Sequence, residues 1–303
     1  MKKHLIIIVG PTSIGKTSLS IDLAQHFGCE IISCDSRQFF KEMQIGTAVP
    51  STNELAAATH HFIQNKSIFE NYTVGDFEKE AVGKLDELFL TNDYAILVGG
   101  SGLYVDSILK GFDEFPDINI SVRQEVTSKY EELGLDYLQT ELEKRDPDYF
   151  SVVAKENPQR MRRALEVCIG SGKPYSSFLN QKKNTRNFTP IIIGLEAERI
   201  VIYDRINKRV DIMINEGLLE EAQSLFPHKD LNALQTVGYR ELFRYFEGEI
   251  SFQYAIEEIK KNTRRFAKRQ LTWFKRNEET KWFDYLTSRK EIISYIKEQI
   301  HNS

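Results

Sequence analysis

Residues 5–17 read Leu5-Ile-Ile-Ile-Val-Gly10-Pro-Thr-Ser-Ile-Gly15-Lys16-Thr17. The first five are apolar and mostly β-branched with no alternation, the pattern of a strand covered on both faces in a parallel sheet. Gly10–Gly15 is a turn. From Lys16 the apolar spacing becomes helical through Leu19, Leu23 and Phe27, and Gly28 ends the helix. Residues 10–17 fit G-x-x-x-x-G-K-[ST] with a strand before and a helix after. In that setting the amides of Gly10, Pro11, Thr12, Ser13, Ile14, Gly15, Lys16 and Thr17 (proline excepted) and the positive end of the helix form an anion nest. Lys16 adds a point charge for a terminal phosphate, and the Thr17 hydroxyl is a candidate Mg²⁺ ligand. A polyphosphate site is implied, without saying which polyphosphate.

Outward from this stretch, Glu30–Ser33, Ala95–Val98 and Ile191–Leu195 read as further buried strands, alternating with helices. The fold class is therefore α/β: a P-loop NTPase-like, doubly wound parallel sheet flanked by helices. Between about Asp113 and Pro190 the texture changes. Val122, Val126, Tyr130 and Leu133 mark one amphipathic helix, Met161, Leu165 and Cys168 another, and Ser171–Pro190 reads as a polar loop. We expect a first part of the core over 1–112, a mostly helical insertion over 113–190, and over 191–303 the last core strand with a helical, basic C-terminal region. No strand is required after Tyr203.

The chain has 303 residues, 41% hydrophobic and 28% charged, which excludes disordered, collagenous and disulfide-stapled classes. Three scattered cysteines suit small buried hydrophobes in a reducing cytoplasm. No run approaches the ~20 apolar residues of a membrane span. The apolar run at the N-terminus is too short for a signal peptide and ends without a cleavage site. A cytoplasmic protein with no membrane partner is expected.

Two further features carry chemistry. The second strand ends in Cys34-Asp35-Ser36-Arg37-Gln38, and ligands bind at the carboxyl ends of such strands. Asp35 is thus a candidate general base or indirect Mg²⁺ ligand, or else the cap of a following helix. The glycines around Ser101 permit close approach to a ligand or form a plain tight turn. Lys260–Arg276 holds eight Lys/Arg and no acid, so against a net charge of −4 the rest of the chain carries −12. Ile256, Ile259, Phe266, Ala267, Gln270, Trp273 and Phe274 fall at helical spacing, leaving a basic face. A phosphate backbone would match such a one-sign ladder, whereas solvated helices normally mix signs. Gln159-Arg-Met-Arg-Arg163 is a smaller basic cluster.

Together these motifs resemble those of the bacterial tRNA dimethylallyltransferase (tRNA isopentenyltransferase) family over nearly the whole chain. They are Gly10–Thr17, Asp35-Ser-Arg-Gln38, Ile45-Gly-Thr-Ala48, His60-His61, Val98-Gly-Gly-Ser-Gly-Leu-Tyr104, Gln159–Val167, Ser171-Gly-Lys-Pro174, Arg205 with Arg209–Met213, Val237-Gly-Tyr-Arg240 and Lys268-Arg-Gln-Leu-Thr-Trp273. The resemblance implies transfer of a dimethylallyl group from dimethylallyl diphosphate to N6 of the adenine 3′ of the anticodon, with Mg²⁺. It assigns catalytic roles to Asp35, Arg205 and Lys16. It also assigns contacts with the tRNA anticodon stem-loop to Asp35, Ser36, Arg37, Gln38, Ser101, Arg123, Gln159, Arg160, Met161, Arg162, Arg163, Arg240, Lys268 and Arg269. A monomer without an obligate protein partner is expected. Ile14 replaces the family's usual serine and Ser101 a frequent threonine; backbone phosphate binding tolerates the first, and the second keeps its hydroxyl. Nothing after Trp282 resembles the zinc finger of eukaryotic relatives.

The chemistry agrees with the residues. Cations at the phosphate loop would stabilise a leaving diphosphate, an adenine amine needs a base such as Asp35, and a stacked loop base must be extruded for about a few kcal/mol. A P-loop small-molecule or nucleotide kinase would share the loop but leave the basic helix unexplained. An adenylate isopentenyltransferase would need no tRNA surface, and a nucleotide-dependent switch lacks its N-K-x-D motif.

Overall fold

The computed structural model describes residues 2–179 and 186–303. It divides into two compact units, Met1–Leu109 with Arg186–Ser303, and Lys110–Thr185. In the first unit β1 (His4–Val9), β2 (Ile31–Ser33), β3 (His60–His61), β4 (Tyr94–Val98), β5 (Thr189–Glu196) and β6 (Lys281–Asp284) form one parallel sheet, ordered β3-β2-β4-β1-β5-β6. Its helices are α1 (Lys16–Phe27), α2 (Thr52–Ala57), α3 (Val74–Thr91) and α4 (Gly102–Lys110). The second unit contributes α5 (Ile120–Arg145), α6 (Pro147–Val152) and α7 (Pro158–Ser171). The chain then returns to the first unit for α8 (Arg199–Asn215), α9 (Leu218–Leu225), α10 (Tyr239–Phe246), α11 (Phe252–Phe274) and α12 (Arg289–Asn302).

β1 lies between β4 and β5 and sends alternate residues into two cores, which is why its sequence shows no alternation. Ile6 and Ile8 join Leu19 and Leu23 of α1 on one face. Leu5, Ile7 and Val9 join Phe77 of α3 and Val105 of α4 on the other. The helices that follow β1 and β4 thus leave to opposite faces of two adjacent strands, and a crevice opens between the strand ends, where ligands bind in open α/β sheets. A third core holds α8–α11 together through Val210, Leu218, Leu242 and Ile259.

Several expectations are corrected. A strand does follow Tyr203: β6 pairs with β5 from Ile193↔Lys281 to Glu196↔Asp284, so β5 is not the last core strand. Four residues are too few to show a period. The stretch 171–190 is not simply a loop. Ser171 ends α7, Tyr175–Phe178 is a 3₁₀ turn, and Thr189 and Pro190 open β5; residues 180–185 of that stretch lie outside the described ones. Pro190 is tolerated because β6 pairs with β5 only from Ile193, so the proline has one neighbouring strand.

In the second unit Val126, Leu138, Leu142, Met161, Leu165 and Cys168 form the core. Leu133 does not join it and is 57% exposed, because Gly134 (φ 73°, ψ −161°) breaks α5 directly after it. Asp146, 1% exposed, accepts hydrogen bonds from the Tyr149 and Ser176 amides and the Ser176 hydroxyl. All three cysteines are buried and free.

Candidate active site

The loop after β1 is built around an uncapped helix start. Gly15 occupies the N-cap of α1 at φ 107°, a conformation open to glycine, and no side chain caps the helix. Its first amides are therefore left for a ligand. Gly10 also needs to be glycine, since a Cβ there would stand 2.6 Å from the Leu195 carbonyl oxygen. The Ile14 side chain turns into the core, which explains why it can replace a serine. The Ser13 hydroxyl is buried without a partner.

Four cations gather here. Lys16 Nζ donates to the carbonyls of Gly10 (3.0 Å) and Pro11 (2.8 Å). Burial lowers its pKa to about 8, with the nearby Asp35 carboxylate pulling the other way. Arg205 Nε donates to the Ser13 carbonyl at 2.7 Å. One turn along α8, Arg209 donates to the Thr12 hydroxyl at 3.2 Å; burial lowers its pKa and Asp35 again opposes. Lys208 lines the same cleft.

The cleft has a volume of about 900 Å³, bounded by Thr12–Thr17, Arg205 and Arg209. A second cavity of about 540 Å³ is bounded by Ser36, Arg37, Ser101, Tyr104, Arg240, Arg269 and Trp273. Thr12, Asp35, Thr47, Arg209, Phe266 and Gln270 line both, so the two spaces meet at Asp35. Asp35 caps no helix. Its Oδ1 accepts from the Arg37 amide at 3.1 Å and its carbonyl from the Gln38 amide at 3.1 Å, closing a turn.

The remaining predicted residues divide into exposed and committed groups. The Ser101 hydroxyl accepts from the Ser36 amide (3.2 Å) and donates to the Ser36 hydroxyl (3.1 Å), joining the ends of β2 and β4. Arg37 donates to the carbonyls of Asn232 and Ala233, and Gln38 to those of Thr47 and Ala48, so both side chains brace loops. Residues 44–46 are held further by Glu221, whose carboxylate accepts three successive amides and the Tyr239 hydroxyl.

On α11 and at the residue that follows it the basic ladder is partly neutralised: Lys260 pairs with Asp211, Lys261 with Glu258 and Lys275 with Glu196. Arg265, Lys268, Arg269 and Arg276 stay exposed. In the second unit Arg123, Gln159 and Arg160 are exposed, and Arg162 and Arg163 half-buried. Met161 corrects the expected cluster: it is fully buried in that unit's core, as the inward position of an amphipathic helix, and its side chain meets no surface.

Sequence reasoning did not single out Arg209 or Gln270 as site residues. Arg209 had a signal, its i+4 spacing from Arg205 on one helix face. Gln270 was legible only as a member of the packed stripe. Among the described residues no cluster of three His, Cys, Asp or Glu exists that could cage a metal. Thr17 lines the cleft with one hydroxyl, an oxygen of the kind a hard, phosphate-bound cation takes as a ligand.

The sequence model of the IPP transferase family matches residues 38–277. A tRNA dimethylallyltransferase of Flavobacterium johnsoniae is 70% identical over 99% of both chains. Among solved structures, the tRNA isopentenylpyrophosphate transferase of Bacillus halodurans is 35% identical with a TM-score of 0.73, covering 99% of this chain and 96% of that one. A eukaryotic dimethylallyltransferase acting on tRNA is 26% identical with a TM-score of 0.84, covering 99% and 80%.

Proposed function

The chain belongs to the IPP transferase family, and from that premise we propose that it transfers the dimethylallyl group of dimethylallyl diphosphate to N6 of the adenine 3′-adjacent to a tRNA anticodon. The observation that carries this reading is the meeting of two cavities at Asp35, one walled by the phosphate loop and its cations, the other lined by arginines and aromatics.

The diphosphate lies on the amides from Ser13 to Thr17, the Thr12 amide being held by Gln270, with Lys16, Arg205 and Arg209 around it. These cations are fixed before substrate arrives, so they stabilise charge on the leaving oxygen without reorganising. The Thr17 hydroxyl would hold Mg²⁺, which would neutralise the diphosphate further. The adenine enters from the second cavity, extruded from the anticodon loop. Its N6 forms a bond to C1 of the prenyl group as the C1–O bond breaks. The electron pair leaves on diphosphate, and the N6 proton passes to the Asp35 carboxylate.

In the first unit the exposed face of α11 with Arg265, Lys268 and Arg269, and Arg240 at the second cavity, supply tRNA contacts; in the second unit the basic start of α7 supplies its own. Among the described residues no helix is long and apolar enough to cross a membrane. We place the protein in the cytoplasm as a monomer. Incubation with labelled dimethylallyl diphosphate and unmodified tRNA, followed by nucleoside analysis, tests the assignment. N6-dimethylallyladenosine is expected. Phosphoryl transfer from ATP with no prenylated nucleoside would return the chain to the kinases.

A further inference from the structure

Gln270 is the one α11 residue on the inner stripe that ends in a polar group and is nonetheless buried, at 5% exposure. Its Oε1 accepts from the Thr12 amide at 2.9 Å, and its Nε2 donates to the Gly100 carbonyl at 2.9 Å. Thr12 belongs to the loop after β1, Gly100 to the loop after β4. These are the adjacent strands whose helices leave to opposite faces, so the carboxamide spans the crevice at its throat. It lines both cavities, and it stands beside Lys268 and Arg269 on the helix that faces solvent with its basic side.

From this we infer that Gln270 is a positioning residue that sets the distance between the phosphate loop and the Gly100-Ser101 loop, and thereby the alignment of donor carbon and acceptor nitrogen. The inference rests on the donor and acceptor reading of the two cavities. A primary amide at the end of a glutamine stem meets both demands at this reach. A carboxylate lacks the donor, a lysine or arginine lacks the acceptor, and a methionine of similar length has no donor and only a weak thioether acceptor. The site is fitted from the other side as well: a Cβ on Gly100 would lie 2.2 Å from Gln270 Nε2. Gly100 is therefore the space into which the carboxamide reaches. Since misplacement of reacting groups by about 1 Å can cost roughly 100-fold in rate, loss of this brace should appear in the chemical step.

The test uses Gln270→Met, Gly100→Ala and their combination, each compared with the wild-type chain under saturating donor and tRNA. Gln270→Met should lower kcat by roughly 100-fold while the Kd for tRNA stays within about twofold, because the charged face of α11 is unchanged. Gly100→Ala should lower kcat similarly by displacing the carboxamide. The double variant should be no worse than either single one, since both act through one contact. A purely structural role would lower melting temperature and leave kcat at saturation alone. Wild-type kcat in folded Gln270→Met, or fully additive losses in the double variant, would overturn the inference. If Gln270→Met fails to fold, Gly100→Ala alone decides by the same kcat criterion. Failure of the donor and acceptor reading is distinct, because the wild-type chain would then make no prenylated nucleoside.

Discussion

Asp35 touches its own turn with one oxygen and borders both cavities, so its replacement by asparagine separates structure from chemistry. Asparagine keeps the size and can accept from the Arg37 amide, but it cannot take the N6 proton. Single-turnover transfer by Asp35→Asn should fall by roughly 10²–10⁴-fold, with tRNA affinity changed far less because phosphate contacts elsewhere supply most of it. A wild-type rate would remove Asp35 from the reaction. Lys16 gives a second residue-level expectation. Burial has lowered its pKa to about 8, and an anion binds the protonated form. Donor affinity measured without tRNA should therefore weaken as the pH rises above about 8, by up to about tenfold per unit; a profile level from pH 8 to 9.5 would contradict this. Both residues were legible from sequence because strand, turn and functional group lie within a few positions of each other. Gln270 was not, because its role needs two loops that are 88 residues apart in the chain.

At the scale of elements, α11 combines a buried stripe with a basic outer face, but its charges are unequal. Neutralising Lys268 and Arg269 together should reduce the log–log salt slope of tRNA binding by about one unit per lost phosphate contact. Lys260→Ala should leave the slope unchanged, since that ammonium already pairs with Asp211 at 2.8 Å. Equal effects of the two changes would mean that the ion pair opens on binding. The loop carrying residues 44–46 has all three of its amides bound by the Glu221 carboxylate. A Cβ on Gly46 would meet the Tyr239 ring at 2.6 Å, and Tyr239 is fully buried. Gly46→Ala should destabilise the chain by about 1–3 kcal/mol, read as a lower denaturant midpoint at unchanged slope. Long elements with repeated apolar spacing, such as α1, could be read from sequence. The two-residue β3 and four-residue β6 could not, because pairing with a neighbour defines them.

For the whole molecule, the helical unit has its own core and its own buried polar anchor in Asp146. Asp146→Ala would leave the Tyr149 and Ser176 amides without their acceptor, at a cost of about 1–3 kcal/mol for each group left unsatisfied. Calorimetry should then show the second unit melting earlier, with donor binding in the first unit intact; a single transition lowered throughout would show the two melting as one. The position of β1 has a consequence for synthesis. It is the first of the sheet's strands in chain order, yet one of its partners, β5, begins only at Thr189. The α5–α7 unit, whose contacts are local, emerges and can fold in the interval. Throughout that time Leu5–Val9 exposes an unpaired edge of five aliphatic residues. The nascent chain, more than the finished protein, is the species that a chaperone would bind, and slowing translation between codons 110 and 188 should increase aggregation without altering the stability of whatever folds.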